Sequence, residues 1–247
     1  MINHTSDRRR RFALVFFGAV PAAMGGCAER VTGPRFIQNR MLGPMSIAVA
    51  PALNLSGCAD FDPERFADVM AGELTYVDGV DVIPVSRVLG ALSALGLKGV
   101  ESATDAWELR ELLGADAILV FAVTEYDPYD PPSIGIDAQL YGRTRDAGRH
   151  GLDPVAVSRH ASFAASEHAP ARREPLAQAQ RVFDAGHDDV ARAVEVFAQT
   201  RGGEGNPFGW RKYVVSQRDY IRFCCHETLE MLMRPDDRGS AAAIAEQ

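Results

Sequence analysis

Three groups of residues combine reactive side chains with close spacing. Cys224, Cys225, His226 and Glu227 are consecutive, and all four are metal-ligand types. On a helix, neighbouring side chains point about 100° apart, so four in a row cannot converge on one ion. The reading is a pair of vicinal core thiols and no metal site. His187, Asp188 and Asp189 stand where acidic residues favour the start of a helix. Asp127, Tyr129 and Asp130, with Tyr126 just before them, share a stretch with Pro128, Pro131 and Pro132. Their carboxylates and phenols could receive a cation, but solvated loop acids are the commoner case. A protein contact is the other use open to them, and Tyr126, Asp127, Tyr129 and Asp130 are the candidate residues for it. The chain holds no Gly-x-Ser-x-Gly, His-Glu-x-x-His, P-loop or dinucleotide fingerprint. No catalytic residue, metal or cofactor is expected.

Cys27 belongs to a different chemistry. Arg8, Arg9, Arg10 and Arg11 precede an apolar run from Phe12 to Met24 of 13 residues, short of the roughly 20 that span a bilayer. A basic cluster, a short apolar run and then small residues form an export signal. Met24, Gly25, Gly26 and Cys27 resemble the lipobox of bacterial lipoproteins, which implies cleavage before Cys27 and acyl chains, palmitate among them, on that residue. Arg9 to Phe12 also looks like a twin-arginine signal, and general secretory export remains equally open. The division expected is a signal peptide at 1–26, a lipidated tether at 27–44 that lets the domain stand off the membrane, an α/β domain at 45–166, a helical extension at 167–233, and a disordered tail at 234–247.

Composition narrows the partners. The 247-residue chain is 47% hydrophobic and 24% charged, ordinary globular values, with a formal charge of −7. Four arginines and Asp7 lie before Cys27, which leaves 22 basic and 32 acidic residues from Cys27 onward. Such a chain is poorly suited to a phosphate backbone, and no nucleic-acid partner is expected. If Cys27 carries lipid, the odd number of thiols left cannot all pair, and a bond from Cys58 to Cys224 or Cys225 stays open.

The remaining patterns predict the positioning elements. Residues 46–51 (SIAVAP) have strand length and end at a proline. Asp62 and Pro63 make a helix start, with Phe66, Val69, Met70, Leu74 and Val77 on one stripe up to Asp78 and Gly79. A strand over Val80–Val85 leads to Ser86 as helix cap, with Val88, Leu89, Leu92 and Leu95 apolar. Ser102 to Asp105 caps a further helix that ends near Leu113 and Gly114. Residues 117–126 and the alternating 134–141 then form a hairpin around the proline-rich loop, with a further strand within Val155–Ala165. Pro170–Pro175 reads as a linker, followed by helices over His187–Gln199 and Trp210–Met233. The last has so broad an apolar surface that it either lies in the fold or covers a partner.

This order predicts an α/β fold: a mixed sheet of about four to five strands with packed helices and a carboxy-terminal helical extension. Residues 46–57 (SIAVAPALNLSG), 83–88 (IPVSRV) and 113–120 (LGADAILV) resemble the pattern shared by CsgG-like and LpoB-like lipoproteins and the amino-terminal domain of TolB. The resemblance covers roughly residues 45 to 165. It implies a non-enzymatic envelope lipoprotein, facing the periplasm from the outer membrane, that binds or helps assemble another envelope protein. An alternative it permits is a subunit of an outer-membrane export or pore assembly, for which residues 117–141 are the candidate membrane-inserting strand pair.

Overall fold

The computed structural model describes residues 37–39, 43–143, 175–201 and 207–234. The expected signal peptide, Cys27, the strand expected within 155–165 and the tail expected beyond 234 lie outside the described residues. The fold is mixed α/β, as the sequence predicts, with six strands in one sheet and six α-helices among the described residues.

Strand β1 (Met45–Val49) is followed by the two-residue β2 (Leu53–Asn54) and helix α1 (Pro63–Leu74). Asp62 Oδ1 accepts from the backbone N–H of Glu64 and of Arg65, both at 3.1 Å, satisfying donors that a helix start leaves orphaned. β3 (Val80–Ile83) and α2 (Val85–Leu95) come next. Ser86 does not cap α2, contrary to the sequence reading. The helix begins two residues earlier, at Val85, and Pro84 stands at its cap, its carbonyl accepting from Arg87 and Val88 N–H. α3 (Ala103–Leu113) has the predicted capping box: Asp105 N–H donates to Ser102 Oγ, and the Asp105 carboxylate accepts from Ser102 N–H. Gly114 closes it with φ of 66°, a left-handed conformation that favours glycine.

β4 (Ala117–Asp127) and β5 (Ser133–Gly142) form the expected antiparallel hairpin. Its register needs Gly142, because a Cβ there would meet Ala117 Cβ at 2.6 Å. β6 (Ala177–Asp184) pairs antiparallel with β5 along Ser133–Leu140. Within 167–233, expected as a helical extension, Ala177–Asp184 is thus a strand of the main sheet. Its Ala, Gln and Arg content hid it, since strand formation there depends on pairing and packing rather than intrinsic preference. α4 (Asp188–Thr200), a 3₁₀ turn (Gly209–Arg211), α5 (Lys212–Val215) and α6 (Gln217–Leu232) complete the described chain. The single helix expected over Trp210–Met233 is broken at Ser216, whose extended backbone (ψ 107°) ends α5 and caps α6.

The sheet order is β3-β1-β4-β5-β6, with β2 paired to β4. β1 is parallel to both β3 and β4, so β4 is held on one side by β1 and on the other by β5. The hairpin that a pore reading requires as a membrane-inserting pair is the centre of this sheet.

Alternation along the strands separates two cores. Ile47, Val49, Leu119, Phe121, Ile136 and Leu140 face α1, α4 and α6, while Ala48, Ala50 and Ile118 face α2 and α3. The broad apolar surface of α6 is spent inside the fold: Tyr220, Phe223, Cys224, Cys225 and Leu229 are wholly buried. Ile37, inside the stretch expected as tether, is also buried; its N–H donates to Tyr76 O and its carbonyl accepts from Asp78 N–H. Any free tether must therefore end before Ile37.

Candidate functional site

α1 carries a carboxylate on its apolar stripe. Glu73 follows Met70 by three residues and Phe66 by seven, so helical spacing sends it inward with them, and it is 1% exposed. Burying a lone carboxylate is costly, and two arginines from other elements bond it, with a histidine alongside. Arg222 Nε of α6 donates to Glu73 Oε1 at 3.0 Å, and Arg201 Nη2, just past α4, donates to Oε2. His226, one turn after Arg222, places Nδ1 3.6 Å from Glu73 Oε2 and Nε2 3.7 Å from Glu230 Oε1. Burial pushes the Glu73 carboxyl up, but the His226 hydrogen bond and the Arg201 and Arg222 charges outweigh it and hold its pKa below the ordinary value. Arg201 Nε and Nη1 have no acceptor. The guanidinium instead lies 3.7 Å from the centre of the Tyr76 ring and 5.2 Å from that of Phe197, a cation–π environment that offsets part of its desolvation.

This cluster locks α1, α4 and α6 together. A carboxylate ringed by donors and held ionised is a poor general base, and its neighbours are spent on it. Beside it opens a cleft of about 630 Å³ whose lining includes Arg65, Asp68, Tyr76, Arg218 and Arg222. Sequence reasoning missed Glu73, although a charged residue at a core-facing position was itself the signal.

The consecutive residues of α6 diverge, as helical geometry requires. Cys224 and Cys225 are buried free thiols, their pKa values pushed up by burial. Cys58 is also free, so the disulfide left open by the sequence is not formed. Glu227 faces Arg181 Nη1 at 3.8 Å; burial and neighbouring Glu230 raise its pKa. Among the described residues, no three His, Cys, Asp or Glu side chains gather closely enough to hold a metal ion. His187 takes the cap position of α4 with Asp188 and Asp189 in the first turn, and its Nε2 lies 3.3 Å from Asp184 Oδ2.

The four residues expected at a partner contact divide by burial. Tyr126 is half-buried: its ring packs edge-on against Phe61 (5.7 Å) and Phe66 (5.5 Å), and its hydroxyl accepts from Gln217 Nε2. Asp127 Oδ1 accepts from Tyr129 N–H at 3.0 Å, an Asx turn that folds the loop back. Tyr129, 78% exposed, projects between exposed Asp127 and Asp130. The loop is braced from beneath, Ala185 N–H donating to Pro132 O at 3.0 Å.

The described fold and sites define a mixed α/β domain with helices on both sheet faces and no assembled catalytic constellation among the described residues. No protein-family model and no curated protein matches the chain. Solved structures do show likeness. The LpoB carboxy-terminal domain from Salmonella enterica superposes with a TM-score of 0.40 at 11% identity, over 59% of this chain and 86% of that one. Lipoprotein GNA1162 from Neisseria meningitidis gives 0.40 at 18% identity, over 66% and 100%. LpoB from E. coli, solved by NMR, gives 0.37 at 11%, over 57% and 74%. CsgG and TolB are not among these three. At such identities no residue role passes from one chain to another.

Proposed function

We propose that this chain is a non-enzymatic lipoprotein of a bacterial cell envelope, anchored by acyl chains on Cys27 and facing the periplasm from the outer membrane, whose α/β domain binds another envelope protein. The observation that carries the reading is the order of Arg8–Arg11, the 13-residue apolar run and the small residues before Cys27, because a run too short to span can direct export without anchoring. In this reading residues 1–26 are removed and several acyl chains hold the protein firmly. Among the described residues no helix is long and apolar enough to cross a membrane. The contact we assign to the partner is the braced loop with Tyr129, Asp127 and Asp130 outward and Tyr126 as its root. An exposed phenol on a fixed backbone offers contact area at low entropic cost. The export or pore alternative gains no support, since β4 and β5 are already paired on both edges.

Labelled palmitate fed to cells making the protein should enter the wild type and be lost in Cys27→Ser; unlabelled wild type would sink the lipoprotein reading. A photo-crosslinker at position 129 should then yield one discrete envelope adduct, weakened by Asp130→Arg. Only adventitious, irreproducible adducts would refute the assigned contact.

A further inference from the structure

Among the described residues, the most exposed large apolar side chains include a pair outside the proline-rich loop. Phe208 is 74% exposed and Val215 77%. With Pro207, Arg211, Lys212 and Ser216 they line a groove of about 520 Å³ whose surface is chiefly apolar. Trp210, partly buried, stands in the same turn, with the Arg211 guanidinium 5.9 Å from its ring centre. The charge here runs against the rest of the molecule. Between Pro207 and Arg218 the chain has Arg211, Lys212 and Arg218 and no acidic residue, in a protein of formal charge −7. Arg211 and Arg218 are exposed, and Lys212 Nζ lies 3.5 Å from Asp219 Oδ2. Aromatic and aliphatic side chains flanked by arginine and lysine match an anionic bilayer interface, where rings sit at headgroup level and cations meet phosphates.

The proposed anchor would bring this patch within reach. Ile37 is fastened to the domain beside Tyr76 and Asp78, so nine residues separate it from Cys27, and covalent geometry limits the distance from one to the other to about 35 Å. α1 runs from the Phe66 end, which contacts Tyr126, to the turn that holds Ile37. Gln217, two residues past Val215, bonds Tyr126, whose ring packs on Phe66. That helix is only about 18 Å long, less than the reach of the tether. A patch too weak to hold a free protein suffices when the anchor supplies a high effective concentration.

From this we propose that the Phe208–Val215 patch rests on the anionic leaflet that carries the acyl anchor, so that the domain lies against the bilayer instead of standing off it. The inference rests on the lipoprotein reading above.

The test uses the full-length protein as cells process it, reconstituted in phosphatidylethanolamine vesicles with or without phosphatidylglycerol and with brominated acyl chains. Trp107→Phe leaves Trp210 as the only tryptophan reporter. Trp210 emission should be quenched in the anionic vesicles, and high salt should relieve the quenching. Arg211→Glu, at an exposed position, should lower the contact equilibrium about fivefold or more, and Phe208→Ser should abolish it while the melting temperature holds. Unquenched Trp210 in a protein that is palmitoylated and vesicle-bound overturns the patch and leaves the lipoprotein reading intact. Quenching on mixing with vesicles, in a chain that takes no palmitate, upholds the patch and overturns the anchor. Quenching indifferent to phosphatidylglycerol and to both substitutions refutes the proposal, as does a protein crosslinked through position 208 in place of lipid.

Discussion

Glu73 ties stability to pH. Its pKa lies below the ordinary carboxylate value, so its contribution is full above that value and is lost as pH falls through the lower, folded one. Glu73→Gln would leave Arg201 buried without its counter-charge and should cost about 3–5 kcal/mol. Urea midpoints measured from pH 7 to pH 3 should fall less steeply in Glu73→Gln than in the wild type. Parallel profiles would show that another carboxylate governs acid unfolding. The sequence allowed part of this to be read: the stripe Phe66, Met70, Leu74 predicted α1 and its inner face, and Glu73 stood on that face. What it could not disclose was the origin of the counter-charges, because Arg201 and Arg222 are 128 and 149 residues away and local spacing carries no such information.

At the scale of elements, capping was legible where the side chain itself makes the cap. Asp62 and Ser102 do so, and Ser86 does not, because the backbone of Pro84 starts α2 first. Ser102→Ala should therefore cost about 1 kcal/mol, while Ser86→Ala, at an exposed site with no cap bond, should change stability by less than about 0.5 kcal/mol. Equal losses in chemical denaturation would contradict this assignment. Periodicity likewise disclosed α1 to α4 and the β4–β5 hairpin. It missed β6, whose alternation of Ala177, Ala179 and Phe183 inward with Gln178, Gln180 and Val182 outward lacks the β-branched content that marks a strand. It also missed the break at Ser216, since Val214 and Ile221 keep the helical spacing across it.

For the whole molecule, the sheet ranks the backbone by protection. β4 is paired on both sides and covered by helices from both faces, whereas no strand is paired to the far side of β6 among the described residues. Native-state hydrogen exchange should thus find its slowest amides over Leu119–Val123 and faster exchange in β6. Uniform protection across the sheet would contradict this ranking. By itself the sequence determined the α/β class, the order of most elements and the placing of the reactive residues on a helix that scatters them, because 3.6- and 2-residue periods and cap chemistry act over a few residues. Only the tertiary structure decided that the wide face of α6 is consumed by the sheet, that Ile37 is fastened to the domain, and that Glu73 is a lock between three helices. Those outcomes depend on which distant surfaces meet, and burial and long-range charge are settled only when they do.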